Sequence, residues 1–165
     1  MQRGISERLI MLPEEHVTFI ESGLSILVGT RDANMRPFGL RGMGVKVHAD
    51  KKTLTVFIPD PTGARTLADL RDNGRIALTF TRPIDHRSMQ LKGKAIAFRA
   101  ANEDERPLLE SYVEGWARHL EVVGLPRAIG SRLTYWPATA VDVIIESSFH
   151  QTPGPSAGKC MTAAT

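Results

Sequence analysis

A run of β-rich segments joined by very short turns constrains this chain more than any other feature. Residues 24–30, 37–48 and 53–58 are apolar and rich in β-branched side chains. The turns between them, at 31–34 and 49–52, are built from Asp, Asn, Ala and basic residues. A parallel crossover needs about a dozen residues or more, so consecutive strands here pair antiparallel. Residues 75–81 and 88–100 supply two more strands, the second alternating around Leu91, Ala95 and Ile96, and 139–147 the last.

Helices fill the intervals. Pro13, Glu14 and Glu15 start one that runs to Glu21 or Ser22, where Gly23 stops it. After a break at residues 59–63, a short helix over 64–71 ends near Asn73 and Gly74. Asn102 with Glu105 forms a capping box ahead of a third helix. Its apolar stripe is Leu108, Tyr112, Trp116 and Leu120, read as core or dimer contact ahead of the alternative, a pocket wall. Leu125 and Pro126 open a fourth, short helix to about Leu133. The order predicts a mainly β (α+β) fold: an antiparallel barrel of six or so strands with peripheral helices. The length of 165 residues suits one domain, residues 1–150, followed by a loop-like tail over 151–165. That tail is expected to fray at its end or to fold onto a dimer partner.

Composition narrows the function. The 21 basic and 18 acidic residues are spread along the chain, leaving a net charge of +3. Nucleic-acid binders concentrate their cations on one stripe, so a local anion site is the better reading. Cys160, the single cysteine, has no internal partner, which fits a reducing compartment and an exposed thiol without a role. The apolar run at 9–12 is too short for a signal segment, and no stretch reaches transmembrane length. A cytoplasmic protein that binds neither membrane nor nucleic acid is expected. His16, His48, His86, His119 and His150 are scattered without metal-ligand spacing, so no metal site is expected. Phosphate-loop, dinucleotide-binding and nucleophile-elbow motifs are absent.

What remains is a basic constellation. Arg41 and Lys46 share the 37–48 strand, and a separation of five places them on opposite faces if it is regular. A bulge at Gly42 and Gly44 would bring both cations to one anion. The turn over 61–66 opens a helix whose free N–H groups form a second anion site, with Thr62, Arg65 and Thr66 adding side-chain donors. The alternative is an ordinary helix start beside a solvated cationic strand.

The succession of these pieces resembles the pyridoxamine 5′-phosphate oxidase family of FMN-binding split barrels. The match runs from Arg41-Gly-Met-Gly-Val-Lys46 through the 53–58 strand, the Thr62–Arg65 turn and the 73–80 strand to Arg87-Ser88 and Gly93, within about residues 20–100. The resemblance implies an antiparallel split barrel with FMN held by Arg41, Lys46, Ile58, Pro59, Thr62, Arg65, Thr66 and Ser88. It also implies that the backbone of Gly42, Met43, Gly44 and Val45 lies along the flavin ring. Three departures stand out. Thr66 replaces a second cation, Ser88 replaces a glutamine, and 149–154 carries no Arg-x-His substrate element. The implied function is a flavin-dependent oxidoreductase acting on a small molecule, with hydride passing through flavin N5 and no assigned protein acid or base. A homodimer with the flavin at its interface is also implied, with Trp136, His150 and Gln151 within reach of a partner's ligand. Two alternatives stay open: a deazaflavin-dependent reductase, or a non-enzymatic flavin or haem protein with His150 or His86 as the axial ligand.

Overall fold

The computed structural model describes residues 9–161, so the first eight residues and the last four, where the tail is expected to fray, lie outside it. The elements are α1 (Glu14–Ile20), β1 (Ser25–Arg31), β2 (Pro37–Arg41), β3 (Val45–Val47), β4 (Thr53–Pro59), α2 (Asp60–Asn73), β5 (Arg75–Thr81) and β6 (Ser88–Ala100). A 3-10 turn (Glu103–Glu105), α3 (Arg106–Val122), α4 (Arg127–Ser131) and β7 (Ala138–His150) follow. Seven strands form one sheet in the order β2-β1-β5-β6-β7-β4-β3, and every pair is antiparallel. The antiparallel split-barrel architecture is therefore as expected. Its core runs through Ile26, Val28, Val56, Leu78, Phe80, Leu91 and Val143, all at most 2% exposed.

The 37–48 segment is not one strand, contrary to expectation. It breaks into β2 and β3, which lie at the two opposite edges of the sheet. Residues 42–44 carry the chain between those edges. Gly42 N–H donates to Ile26 O of β1 at 3.0 Å, Met43 N–H to Phe57 O of β4 at 2.9 Å, and Phe57 N–H to Gly44 O at 3.1 Å. The glycines thus mark a closure, not a bulge. A Cβ on Gly42 would stand 2.9 Å from Ile26 Cγ2, and Gly44 has φ of +147°, a conformation that side chains resist.

Two helix readings also change. α2 begins at Asp60, inside the expected break at 59–63, because proline at its second position and aspartate at its first both suit an opening turn. In α3 the buried stripe is Leu109, Tyr112, Val113, Trp116 and Leu120, whereas Leu108 is 37% exposed. Steps of four residues advance about 400°, so three of them rotate Leu108 about 120° away from Leu120. The capping interaction is present: Asn102 N–H donates to Glu105 Oε2 at 2.9 Å. The described part of the tail folds back onto its own β7, with Phe149 bridged to Cys160 and Met161 N–H donating to Ser148 O at 2.7 Å. Cys160 itself is exposed.

Closure through 42–44 makes a testable demand. Gly44→Ala forces a side chain into a strained φ and should cost about 1–3 kcal/mol. Gly42→Ala should be destabilising through crowding. Gly39→Ala, whose Cβ would meet only Leu27 Cδ1 at 3.8 Å, should stay within about 0.5 kcal/mol. Urea midpoints at unchanged m-value measure all three.

Candidate functional site

A cleft lies where the closure segment meets α3. Its floor is Gly44 and Val45, and its walls are residues 20–23 at the end of α1 and Leu108, Ser111, Tyr112 and Gly115 of α3. A second hollow, sharing Glu21, Val45 and Leu108, extends it along Lys46 and Val47 toward Asp104 and Glu105. Their volumes, about 340 and 460 Å³, fall in the range of small-molecule sites. The two glycines let the walls approach: Gly23 and Gly115 pack so that a Cβ on either would meet the other's Cα at 3.6 Å.

Charges in the cleft are largely committed. The Glu21 carboxylate accepts the edge N–H of Val47 at 2.7 Å. Glu105 is paired with Arg99 at 2.6 Å. The Arg99 guanidinium holds the Glu105 carboxyl below its usual pKa against the opposing effect of burial, and Lys46 adds to that lowering. Glu114 is shared by Arg118 and Arg127. Among the described residues, Lys46 is exposed and forms no ion pair. It is the free cation at this end of the cleft.

Arg41 is placed differently from Lys46. Its guanidinium lies 4.4 Å from the centre of the Trp116 ring and donates to Ser25 Oγ at 3.0 Å. Next to it, Tyr112 accepts a hydrogen bond from Ile26 N–H at 3.3 Å. Burial pushes the Tyr112 hydroxyl up to about 12, while the neighbouring Arg41 charge opposes that rise. Arg41 therefore ties α3 to the barrel. It sits at the end of β2, whereas Lys46 belongs to β3, so the two cations stand on separate strands.

The other predicted positions are scattered. Arg65 is exposed on α2 and lies 4.6 Å from the Phe38 ring. Phe38 and Arg41, three apart on β2, point to opposite faces, so Arg65 and Arg41 do not converge within one chain. The start of α2 is poorly equipped for an anion. Asp60 N–H already donates to Pro137 O at 2.9 Å, Pro61 has no N–H, and the Asp60 carboxylate accepts from Thr139 Oγ1 at 2.6 Å. Thr62 is exposed, Ile58 and Pro59 are buried, and the Thr66 hydroxyl is fully buried with no hydrogen-bond partner. Ser88 is buried and donates within hydrogen-bond reach of both Thr81 Oγ1 and His86 O. Met43 is in the core, 2% exposed. Of the twelve positions, Gly44, Val45 and Lys46 line the cleft.

A flavin therefore fits only in part. The cleft along Gly44, Val45 and Lys46 has the room and one unpaired cation, but neither the α2 start nor Ser88 borders it. The sequence ranked the α3 stripe as core or dimer contact ahead of a pocket wall, yet Leu108 and Tyr112 line the cleft. Gly115, a glycine inside a helical apolar pattern, was the available signal of close packing.

The two cations should respond differently to neutral replacement. Arg41→Met should destabilise the fold by about 2–3 kcal/mol, through the lost ring contact and charged hydrogen bond. Lys46→Met should change stability by less than about 0.5 kcal/mol. Equal effects in denaturant melts would contradict the assignment of Arg41 to α3.

No protein-family model and no curated protein matches the sequence. Solved structures do. HupZ of Group A Streptococcus is 20% identical over 90% of this chain and 100% of its own, at a TM-score of 0.56. A candidate pyridoxamine 5′-phosphate oxidase from Lactobacillus delbrueckii is 15% identical over 90% and 99% of the two chains, at 0.54. An F420 reductase is 11% identical over 83% and 98%, also at 0.54. An FMN-binding protein from Syntrophomonas wolfei is 12% identical over 82% and 83%, at 0.51. At these identities the likeness is one of fold. This chain has the pyridoxamine 5′-phosphate oxidase-like split-barrel fold.

Proposed function

We propose that this chain is an FMN-binding oxidoreductase acting on a small molecule, with the flavin seated in the cleft along Gly44, Val45 and Lys46. One observation carries the reading. In a fold shared with an FMN-binding protein, three of the predicted flavin positions border a ligand-sized cleft, and they are consecutive. Gly44 and Gly115 line the cleft with backbone, a flat surface for a ring. Lys46 offers a mobile point charge to a phosphate. Arg41 acts from behind by fixing α3 as the wall that excludes water. When bound, the flavin supplies hydride transfer. A second copy of the chain completes the site, since one chain brings neither Arg65 nor Ser88 to the cleft. The F420 reductase with the same fold favours a second reading, a deazaflavin in the same cleft.

An absorption spectrum of the purified protein, followed by titration with FMN and with F420, tests the reading. Flavin bands or saturable binding of FMN are expected, and Lys46→Ala should weaken that binding by about tenfold or more. Tighter binding of F420 would select the second reading. A Soret band, or colourless protein that takes up neither cofactor, would overturn the proposal. Unchanged FMN affinity in Lys46→Ala would move the site elsewhere.

A further inference from the structure

A smaller cavity of mixed lining, separate from the cleft, opens where β6 begins and β7 ends. It is about 60 Å³, and its lining includes His16 of α1, Arg87 and Ser88 at the start of β6, His150 at the end of β7, and Thr152. Such a space holds a small oxoanion in place of several waters. Arg87 is the one permanent charge in that lining. Arg87 lies 4.6 Å from the centre of the Phe19 ring and has no acidic partner among the described residues. Arg82 is neutralised by Asp85 at 2.5 Å, which leaves Arg87 as the permanent charge of the loop.

His16 supplies the second observation. Its Nδ1 is buried without a hydrogen-bond partner, and its Nε2 is 3.9 Å from Glu15 Oε1, a carboxylate that is itself largely exposed. A buried ring nitrogen with no partner is a rare arrangement and needs a reason. Burial, with Arg87 and His150 nearby, holds His16 below the usual histidine pKa, while Glu15 pulls the other way. His16 is therefore harder to protonate in the fold than in the unfolded chain, so stability falls as the pH drops through the ordinary histidine range, unless an anion offsets the charge. The remaining side of the cavity is closed by the folded-back tail. Thr152 Oγ1 accepts from Ser88 N–H at 2.9 Å, and His150 N–H donates to Lys159 O at 2.9 Å. The tail brings no carboxylate, since residues 151–161 contain none.

The geometry points to a binding site for a small oxoanion, the carboxylate or phosphate group of a small molecule, formed by Arg87, His16 and His150 at this end of the barrel. Arg87 supplies the fixed charge. Protonated His16 donates through Nδ1, so the site fills as the pH falls. Anion binding and His16 protonation favour each other by the same factor. The inference does not rest on flavin binding, because none of these three residues borders the cleft.

The test is an NMR titration of the full chain with sulfate, which keeps its charge across this pH range, at constant ionic strength set by chloride. The histidine ring C–H signals report it, and acetate is run in parallel. Saturable shifts of the His16 and His150 signals are expected at pH 6, with affinity about threefold or more weaker at pH 8, within the tenfold that a one-unit shift allows. Sulfate should also raise the His16 midpoint by about one unit. A saturable response to sulfate, to acetate or to both supports the site and sorts a phosphate-like from a carboxylate ligand. Arg87→Gln, at an exposed position, should abolish the saturable shift with an unchanged thermal midpoint. His16→Asn should remove the pH dependence. Sulfate bound only at Lys46 would leave these histidine signals still, and that result overturns the inference. So would shifts reproduced by chloride, equal affinity at pH 6 and 8, or wild-type binding in Arg87→Gln.

Discussion

Three backbone hydrogen bonds tie together the two edges of the sheet, and the rest of the molecule is arranged around them. Gly42 reaches back to β1, while Met43 and Gly44 bracket Phe57 of β4. Without that bridge, β2 and β3 would be free edges presenting unpaired amides. With it, the sheet curls until the side chains of Ile26, Val28 and Val56 crowd the space a Gly42 side chain would need. The positive φ at Gly44 then turns the chain into β3 and leaves bare backbone facing outward. The cleft exists because closure requires residues without side chains at that place.

The second constraint is the attachment of α3. Tyr112, Trp116 and the Gly23–Gly115 contact seat the helix over the seam, and Arg41 holds it there. A guanidinium stacked on a ring and bonded to Ser25 is largely engaged. Lys46, five residues on, stays free because β3 points it away from that cluster. Two basic residues that look equivalent in sequence therefore do different work: one builds the wall, the other faces what the wall encloses. The far end of the barrel follows the same logic, since the folded-back tail encloses His16, Arg87 and His150.

Much of the fold was legible because it depends on local chemistry. The strands Arg75–Thr81 and Ser88–Ala100 follow from β-branched alternation and their flanking turns. The Asn102–Glu105 capping contact follows from two residue types at fixed spacing. Gly74, in the left-handed region, ends α2 where expected. The misreadings share a cause. Residues 37–48 looked like one strand because nothing local shows that two halves of a segment join opposite edges of a sheet. Leu108 looked buried because a four-residue spacing drifts around a helix, and only packing decides which side of the drift is covered.

The sequence by itself determined the antiparallel pairing, the order of the elements and the cationic positions, since turn length, periodicity and composition act over a few residues. It also carried the succession of motifs that resembles the split-barrel family. Which cations remain free was decided only by the tertiary structure. Arg41 meets Trp116 across 75 positions of chain, and His16 meets Arg87 across 71 and His150, at the end of β7, across 134. Those partners are brought together by sheet curvature and helix docking, and burial and pairing depend on the neighbours that folding supplies.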